Sequence, residues 1–304
     1  MIPGFDEQDF VARVLAEDLG TGGDVTSAAT IPADARFSAR LAAREPLVLA
    51  GLEIASAVFR ALDPGVQIEL LAADGDRVDA EVMRIDGNAR ALLAAERSAL
   101  NTLQHLSGIA TLTRRYVDAI AGTGAVLLDT RKTIPGLRAL EKYATRMGGA
   151  QNHRMRLDDG VLIKDNHVAL CGGVGEAVRA ARAGRTGLPV QVEVDRIDQI
   201  EPALAAGADR LLLDNMPPPV AYGTCRCSRR TAHRAAVALG IKPAGSAKAQ
   251  ENVCGSYGST SRFVFRSLDA RGAAAAPGRP PGERPGLPLS DRWGKGGARM
   301  VVRR

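Results

Sequence analysis

Val190-Gln191-Val192-Glu193-Val194, then Asp198 to Ala206, then Leu211-Leu212-Leu213 read as a strand, a helix and a second strand. The first strand is apolar at one set of alternate positions and carries Gln191 and Glu193 at the other, the period of two that an extended chain imposes. A strand–helix repeat of about 20 residues is what a parallel barrel or an open parallel sheet requires. Toward the N-terminus, Val161-Leu162-Ile163 and Ala125 to Leu128 supply two more short apolar strands. The predicted fold class is therefore α/β, with a parallel sheet in this part of the chain.

Polar groups occupy equivalent places along these strands. Arg131 and Lys132 follow the first, Lys164 ends the second, Glu193 lies near the end of the third and Asp214 ends the fourth. In a parallel barrel the carboxyl ends of the strands share one face, so residues distant in sequence converge there. Taken singly, His153 reads as a packed or surface histidine, Lys164 as a solvated charge and Asp214 as a helix N-cap. Together they read as a site, because charged groups gathered at one cleft are what ligand chemistry needs. The stretch from Leu128 to His167 concentrates them, with Asp129-Thr130-Arg131-Lys132-Thr133, Asn152-His153-Arg154 and Ile163-Lys164-Asp165-Asn166-His167 set among glycines and apolar runs. These clusters are mostly cationic, which implies an anionic ligand.

Upstream, residues 7–18 read as an opening helix. Phe37 to Ile85 carries short apolar runs broken by Asp-Pro and Asp-Gly, with one helix near Glu53 to Leu62, which suggests a small α+β domain. From Arg90 to Ile120 the pattern turns helical, with Leu92, Leu93, Leu100, Leu103, Leu106, Ile109 and Leu112 at three- and four-residue spacings. Arg97 falls in that helix, where an arginine ordinarily faces solvent.

The chain of 304 residues is 45% hydrophobic, enough for a large buried core. It has no apolar run of the roughly 18 residues that a membrane span needs. Asp6, Glu7 and Asp9 stand where a targeting signal would place basic residues, so the expected location is the cytoplasm. Cys171, Cys225, Cys227 and Cys254 fit neither a disulfide framework nor common zinc-ligand spacing. The net charge of +6 is unevenly distributed: Met1–Met216 carries 24 Lys and Arg against 30 Asp and Glu, whereas Pro217–Arg304 carries 16 against 4. The tail is also rich in Gly, Pro and Ala, and its last thirty or so residues are expected to be irregular.

Five motifs in order carry a resemblance. Thr130-Arg131-Lys132-Thr133, Asn152-His153-Arg154, Leu162-Ile163-Lys164-Asp165-Asn166-His167, Val192-Glu193-Val194-Asp195 and Leu213-Asp214-Asn215-Met216 resemble those of quinolinate phosphoribosyltransferases. Glu17-Asp18-Leu19-Gly20 with Asp24-Val25-Thr26 resembles that family's N-terminal signature, and Glu96-Arg97-Ser98-Ala99-Leu100-Asn101 its domain-linking helix. The resemblance covers about residues 5 to 216. It implies an N-terminal α+β sandwich domain with the linking helix (1–110), an incomplete parallel α/β barrel (111–216) and a divergent basic tail (217–304). It implies a homodimer in which one subunit's sandwich covers the other's barrel mouth.

The reaction it implies joins quinolinate to phosphoribosyl pyrophosphate and releases pyrophosphate and carbon dioxide, leaving nicotinate mononucleotide for NAD biosynthesis. Arg131, His153 and Arg154 match positions that hold the two quinolinate carboxylates, with Arg97 reaching in from the partner subunit. Lys132 and Lys164 match positions that meet the phosphates, and Glu193 and Asp214 match carboxylates near the ribose hydroxyls and Mg²⁺. Arg156 and Ala150 stand where the family has glycine, and both lie at loops.

After Pro217 the family's two remaining strand–loop units, which bind the ribose 5′-phosphate, have no counterpart in the sequence. A shifted reading frame accounts for this and for the change of charge: read one base earlier, Ala247-Lys248-Ala249-Gln250-Glu251 can encode Glu-Ser-Ser-Gly. Two other readings stay open. One is the molybdenum-locus homologue built on the same scaffold. The other is a catalytically damaged protein whose basic tail binds nucleic acid, although Tyr257, Phe263, Phe265 and Trp293 are too scattered for base stacking.

Overall fold

The computed structural model describes residues 2–184, 186–214, 216, 237–239 and 300–303. Helix α1 (Glu7–Leu19) starts where the Asp6 carboxylate accepts the Asp9 amide at 3.0 Å, and stops at Gly20 with φ +54°, a conformation glycine adopts without a Cβ clash. The short α2 (Val25–Thr30) is capped in the same way by Asp24. Next come β1 (Arg36–Ala43), β2 (Leu47–Val48), α3 (Leu52–Leu62), β3 (Gln67–Leu70), β4 (Arg77–Val78) and β5 (Glu81–Asn88). Strands β1, β5 and β3 form an antiparallel sheet, while β2 and β4 pair as a separate ribbon.

Alternation gives this sheet a dry face and a wet one. Leu41 and Ile85 bury against Ile54, Ala55, Val58 and Phe59 of α3. Arg84 on the opposite face meets Glu69 at 3.1 Å and Glu81 at 3.0 Å, both in solvent. The long helix α4 (Ala89–Ala119), capped by Asn88, runs through the same core with Leu92, Leu100, Leu103 and Leu106 buried; it crosses residue 110 without a break. Leu93 and Leu112 of the leucine pattern face outward.

Helix α5 (Arg138–Met147) had no counterpart in the sequence reading. Leu140 and Ala144 bury it in the first core, against the linking helix α4. Beyond it the parallel sheet is built from β6 (Val161–Ile163), β7 (Val190–Val194), β8 (Arg210–Leu213) and β9 (Val237–Leu239), in that order. Connections are α6 (Asp165–Leu170) and α7 (Val174–Ala183), then a 3₁₀ turn at Ile197–Gln199 that leads into α8 (Ile200–Ala205). The helix expected at 198–206 divides there because Pro202 has no amide to donate back to residue 198.

The strand expected at Ala125–Leu128 is reduced to one parallel bridge between Leu128 and Gln151. The reason is local. After Asp129 N donates to Gln151 O at 3.2 Å, the His153 amide turns to the Asp129 carboxylate at 2.8 Å instead of continuing a ladder. The parallel sheet also has two apolar faces. Ile163, Val192, Val194, Leu211 and Leu213 pack against α7 and α8, while Leu162 and Leu212 pack against Leu128 on the interior side. The result is an incomplete α/β barrel beside the α+β domain.

Of the tail, the described parts are β9 and β10 (Met300–Arg303), the latter antiparallel to β1. The irregular segment, the frameshift reading and Cys225, Cys227 and Cys254 otherwise lie outside the described residues. Among the described residues no helix is long and apolar enough to cross a membrane.

Candidate active site

The strand register decides which polar side chains share the barrel interior. Val161 pairs with Val190, Leu162 with Gln191, and Glu193 with Leu212. Since side chains alternate, Leu162 and Lys164, Gln191 and Glu193, and Leu212 and Asp214 point to one side. Asp214 stays in register because its amide donates to Val194 O at 2.9 Å. Lys164 Nζ lies 4.0 Å from Glu193 Oε2. The Lys164 amide donates to His167 Nδ1 at 3.1 Å, so His167 closes the turn that opens α6.

The Asn152-His153-Arg154 segment reaches the same side. His153 Nε2 is 2.8 Å from Gln191 Oε1, two residues before Glu193 on the same strand. Burial, more than any other cause, pushes the His153 imidazole below its ordinary value, against the opposing pull of the Gln191 hydrogen bond. Burial thus favours the uncharged form of the ring.

Arg154 is also held below the usual arginine range, first by burial and then by the neighbouring Arg131 guanidinium. Its Nη1 donates to Gly160 O at 2.9 Å. The Arg131 Nε is buried and lacks a hydrogen-bond partner among the described residues, which is costly for a charged group. Two guanidinium groups brought close together, one with an unsatisfied donor, suit an anion with more than one carboxylate. Lys132 is exposed on the same loop, where its amide donates to Thr130 Oγ1 at 3.1 Å. Arg97 stands apart from this cluster, exposed on α4.

Sequence reading missed what holds these loops. Lys142 on α5 is 1% exposed, and its Nζ donates to Asp129 Oδ1 at 2.5 Å and to the His153 and Arg154 carbonyls, each at 3.1 Å. Burial lowers its pKa, and the Asp129 charge opposes that shift. Its neighbour Glu141 accepts from His105 Nε2 at 3.0 Å and from the Ile134 amide at 3.2 Å. Tyr143, next in line, donates to Asp74 Oδ2 at 2.5 Å, and Asp74 also accepts the Gly51 and Leu52 amides that start α3. Charged residues within an amphipathic helix gave no sequence signal for this.

The two departures at glycine positions are accommodated. Ala150 is buried against Leu127, and Arg156 is exposed beside Asp158 at 2.9 Å. No cluster of three or more His, Cys, Asp or Glu side chains able to hold a metal occurs among the described residues. Glu193 and Asp214, at the ends of adjacent strands, could offer the one or two carboxylates that a Mg²⁺ bound chiefly through phosphate oxygens and water would take.

The neighbouring Arg131 and Arg154 and the carboxylates Glu193 and Asp214 gather at the carboxyl ends of the parallel strands, the face where barrel enzymes place their sites, with the charges an acidic substrate calls for. The models of the N- and C-terminal domains of quinolinate phosphoribosyl transferase match residues 24–107 and 109–251. The chain belongs to the quinolinate phosphoribosyltransferase family. The second match runs past Pro217, where the motif resemblance ends.

Among relatives, it is 46% identical over 214 residues to the nicotinate-nucleotide pyrophosphorylase [carboxylating] of Mycobacterium leprae, covering 69% of this chain and 75% of that protein. It is 44% identical over 205 residues to the probable enzyme of the same name from Synechocystis, covering 66% and 69%. Among solved structures, the nicotinate-nucleotide pyrophosphorylase of Francisella tularensis superposes with a TM-score of 0.74 at 37% identity, over 80% of this chain and 87% of that one. The Ehrlichia chaffeensis enzyme gives 0.74 at 31% identity, over 88% and 99%.

Proposed function

We propose that this chain transfers the phosphoribosyl group of phosphoribosyl pyrophosphate to quinolinate with decarboxylation, giving nicotinate mononucleotide, pyrophosphate and carbon dioxide for NAD biosynthesis. The observation that carries the reading is the pair Arg131 and Arg154 near His153, with the Arg131 Nε buried and unsatisfied among the described residues. Quinolinate has two adjacent carboxylates and brings the acceptor oxygens that such donors lack.

In this reading the arginines and the His153 ring orient quinolinate so that its ring nitrogen faces the anomeric carbon. The nitrogen forms the new bond as the bond to pyrophosphate oxygen breaks, and the leaving oxygen keeps the electron pair. Lys132 and Lys164 meet the departing phosphates, and Glu193 and Asp214 face the ribose, where positive charge grows. Mg²⁺, held by Glu193 and Asp214 with phosphate oxygens, would neutralise charge on the leaving group. Preorganised groups of this kind supply the rate, each contributing about 3 kcal/mol. Decarboxylation then needs no protein nucleophile: the C2 carboxylate leaves as carbon dioxide, the electron pair stays on C2 beside the positive ring nitrogen that stabilises it, and a proton from water completes the nicotinate mononucleotide.

Arg97 would reach the quinolinate of a partner subunit in a homodimer, consistent with its exposure away from the cluster. The cytoplasm is the proposed location, with residues 1–110 as the sandwich domain and 111–216 as the barrel. The test is nicotinate mononucleotide formation by the purified chain from quinolinate, phosphoribosyl pyrophosphate and Mg²⁺. Product that vanishes in Arg131→Ala supports the reading; a folded chain that makes none overturns it.

A further inference from the structure

We propose that the buried pair Asp129 and Lys142 is a positioning device that sets the spacing between the Arg131 loop and the His153-Arg154 segment, and thereby governs affinity for the dicarboxylate substrate. This inference rests on the function proposed above. Its basis is the number of separate ties that meet at two side chains. Asp129 Oδ1 takes Lys142 Nζ and the His153 amide, at 2.5 and 2.8 Å, and Oδ2 takes Asn152 Nδ2 at 2.6 Å and Thr145 Oγ1 at 3.3 Å. Lys142 returns to the same segment through the carbonyls of His153 and Arg154. Asp129 itself stands two residues before Arg131. One ion pair thus fixes the backbone on both sides of the proposed carboxylate site while neither member joins the cluster that would touch substrate.

The placement explains why a charge is kept there. A buried ion pair is weak evidence for stability, since apolar residues of similar volume often serve as well. Apolar residues could not bind two carbonyls and two amide groups at once, and backbone misplacement of about 1 Å can cost roughly a hundredfold in rate. Arg138 adds a second strut, with Nε to Thr133 Oγ1 at 3.2 Å and Nη1 to Met155 O at 3.3 Å.

The test compares Lys142→Met, Asp129→Leu with Lys142→Met, and Asn152→Ala against the unaltered chain, with each substrate varied and melting temperature recorded. Lys142→Met is expected to raise KM for quinolinate roughly tenfold while KM for phosphoribosyl pyrophosphate shifts less than about twofold, because the ties run chiefly to residues 152–154. The double variant removes both charges, so its melting temperature returns toward that of the unaltered chain while KM for quinolinate stays high. If KM recovers together with stability, the pair is merely structural and the proposal falls.

Asn152 is exposed, so Asn152→Ala serves should the double variant fail to fold. It is expected to raise KM for quinolinate about threefold with little change in melting, because it removes the side-chain donor to Asp129 and the Lys142 carbonyl while leaving the ion pair in place; an unchanged KM overturns the proposal. Absence of product from the unaltered chain sinks the proposed function instead. Calorimetric titration with quinolinate then decides, and equal affinity in Lys142→Met and the unaltered chain refutes positioning.

Discussion

Lys164 Nζ and Glu193 Oε2 face each other at 4.0 Å across neighbouring parallel strands. The register sets this relationship: Ile163 pairs with Val192, which brings the next residue of each strand side by side. A cation and a carboxylate are thus held at one depth on the same face of the sheet.

Glu193→Gln keeps the shape and removes the charge that would face the anomeric carbon. The expected outcome is a kcat lower by about a hundredfold with both KM values nearly unchanged, since the lost interaction acts mainly in the transition state. Steady-state kinetics with each substrate varied will show it. A fall in affinity with kcat intact would place Glu193 in ground-state binding.

Arg154→Lys keeps the charge and discards the fork. Lysine cannot offer paired parallel donors to one carboxylate. Loss of one charge-assisted hydrogen bond is worth about 1.5–3 kcal/mol, so kcat/KM for quinolinate is expected to fall by roughly ten- to a hundredfold. Lysine that supports full activity would show that Arg154 contributes charge alone.

Much of this was legible before any coordinates. The strands Val161–Ile163 and Val190–Val194 appear with the bounds read from the sequence, because short apolar runs between turn residues mark the buried strands of a parallel sheet. The convergence of Lys164 and Glu193 followed from parallel topology alone. What stayed hidden was α5: Glu141 and Lys142 look like surface charges, and only tertiary packing makes them buried. The bridge at Leu128 was hidden for a related reason, since the Asp129 side chain takes a donor that a ladder would otherwise claim. His153 shows the same limit, for its lowered pKa comes chiefly from burial that no neighbouring residue in the sequence announces.

Gly148 reports on how closely α4 and α5 approach. A methyl group there would stand 2.5 Å from Thr113 Cβ and 2.6 Å from the Ala110 carbonyl oxygen, although its φ of −67° suits any residue. Gly148→Ala is therefore expected to destabilise the fold by about 1–3 kcal/mol through overpacking. Chemical denaturation measures this directly. An unchanged midpoint would mean that the two helices separate freely.

The depressed pKa of His153 makes stability depend on pH in a definite sense. In the unfolded chain the imidazole takes a proton near pH 6.5, whereas in the fold burial delays protonation to lower pH. Above that range neither state carries the proton. Below it the unfolded state binds more protons, so stability falls as pH drops, until the folded ring is protonated too. The groups facing the ring are Gln191, Lys142, Asp129 and Arg154; apart from Gln191, whose hydrogen bond opposes the shift, the two cations reinforce it and Asp129 weakens it. His153→Gln can still bond the Gln191 amide and does not titrate. Its melting temperature is expected to decline less between pH 7.5 and 5.5 than that of the unaltered chain, the window in which about half or more of an unfolded histidine's protonation occurs. Parallel declines in the two proteins would show that His153 is protonated as readily in the fold as out of it.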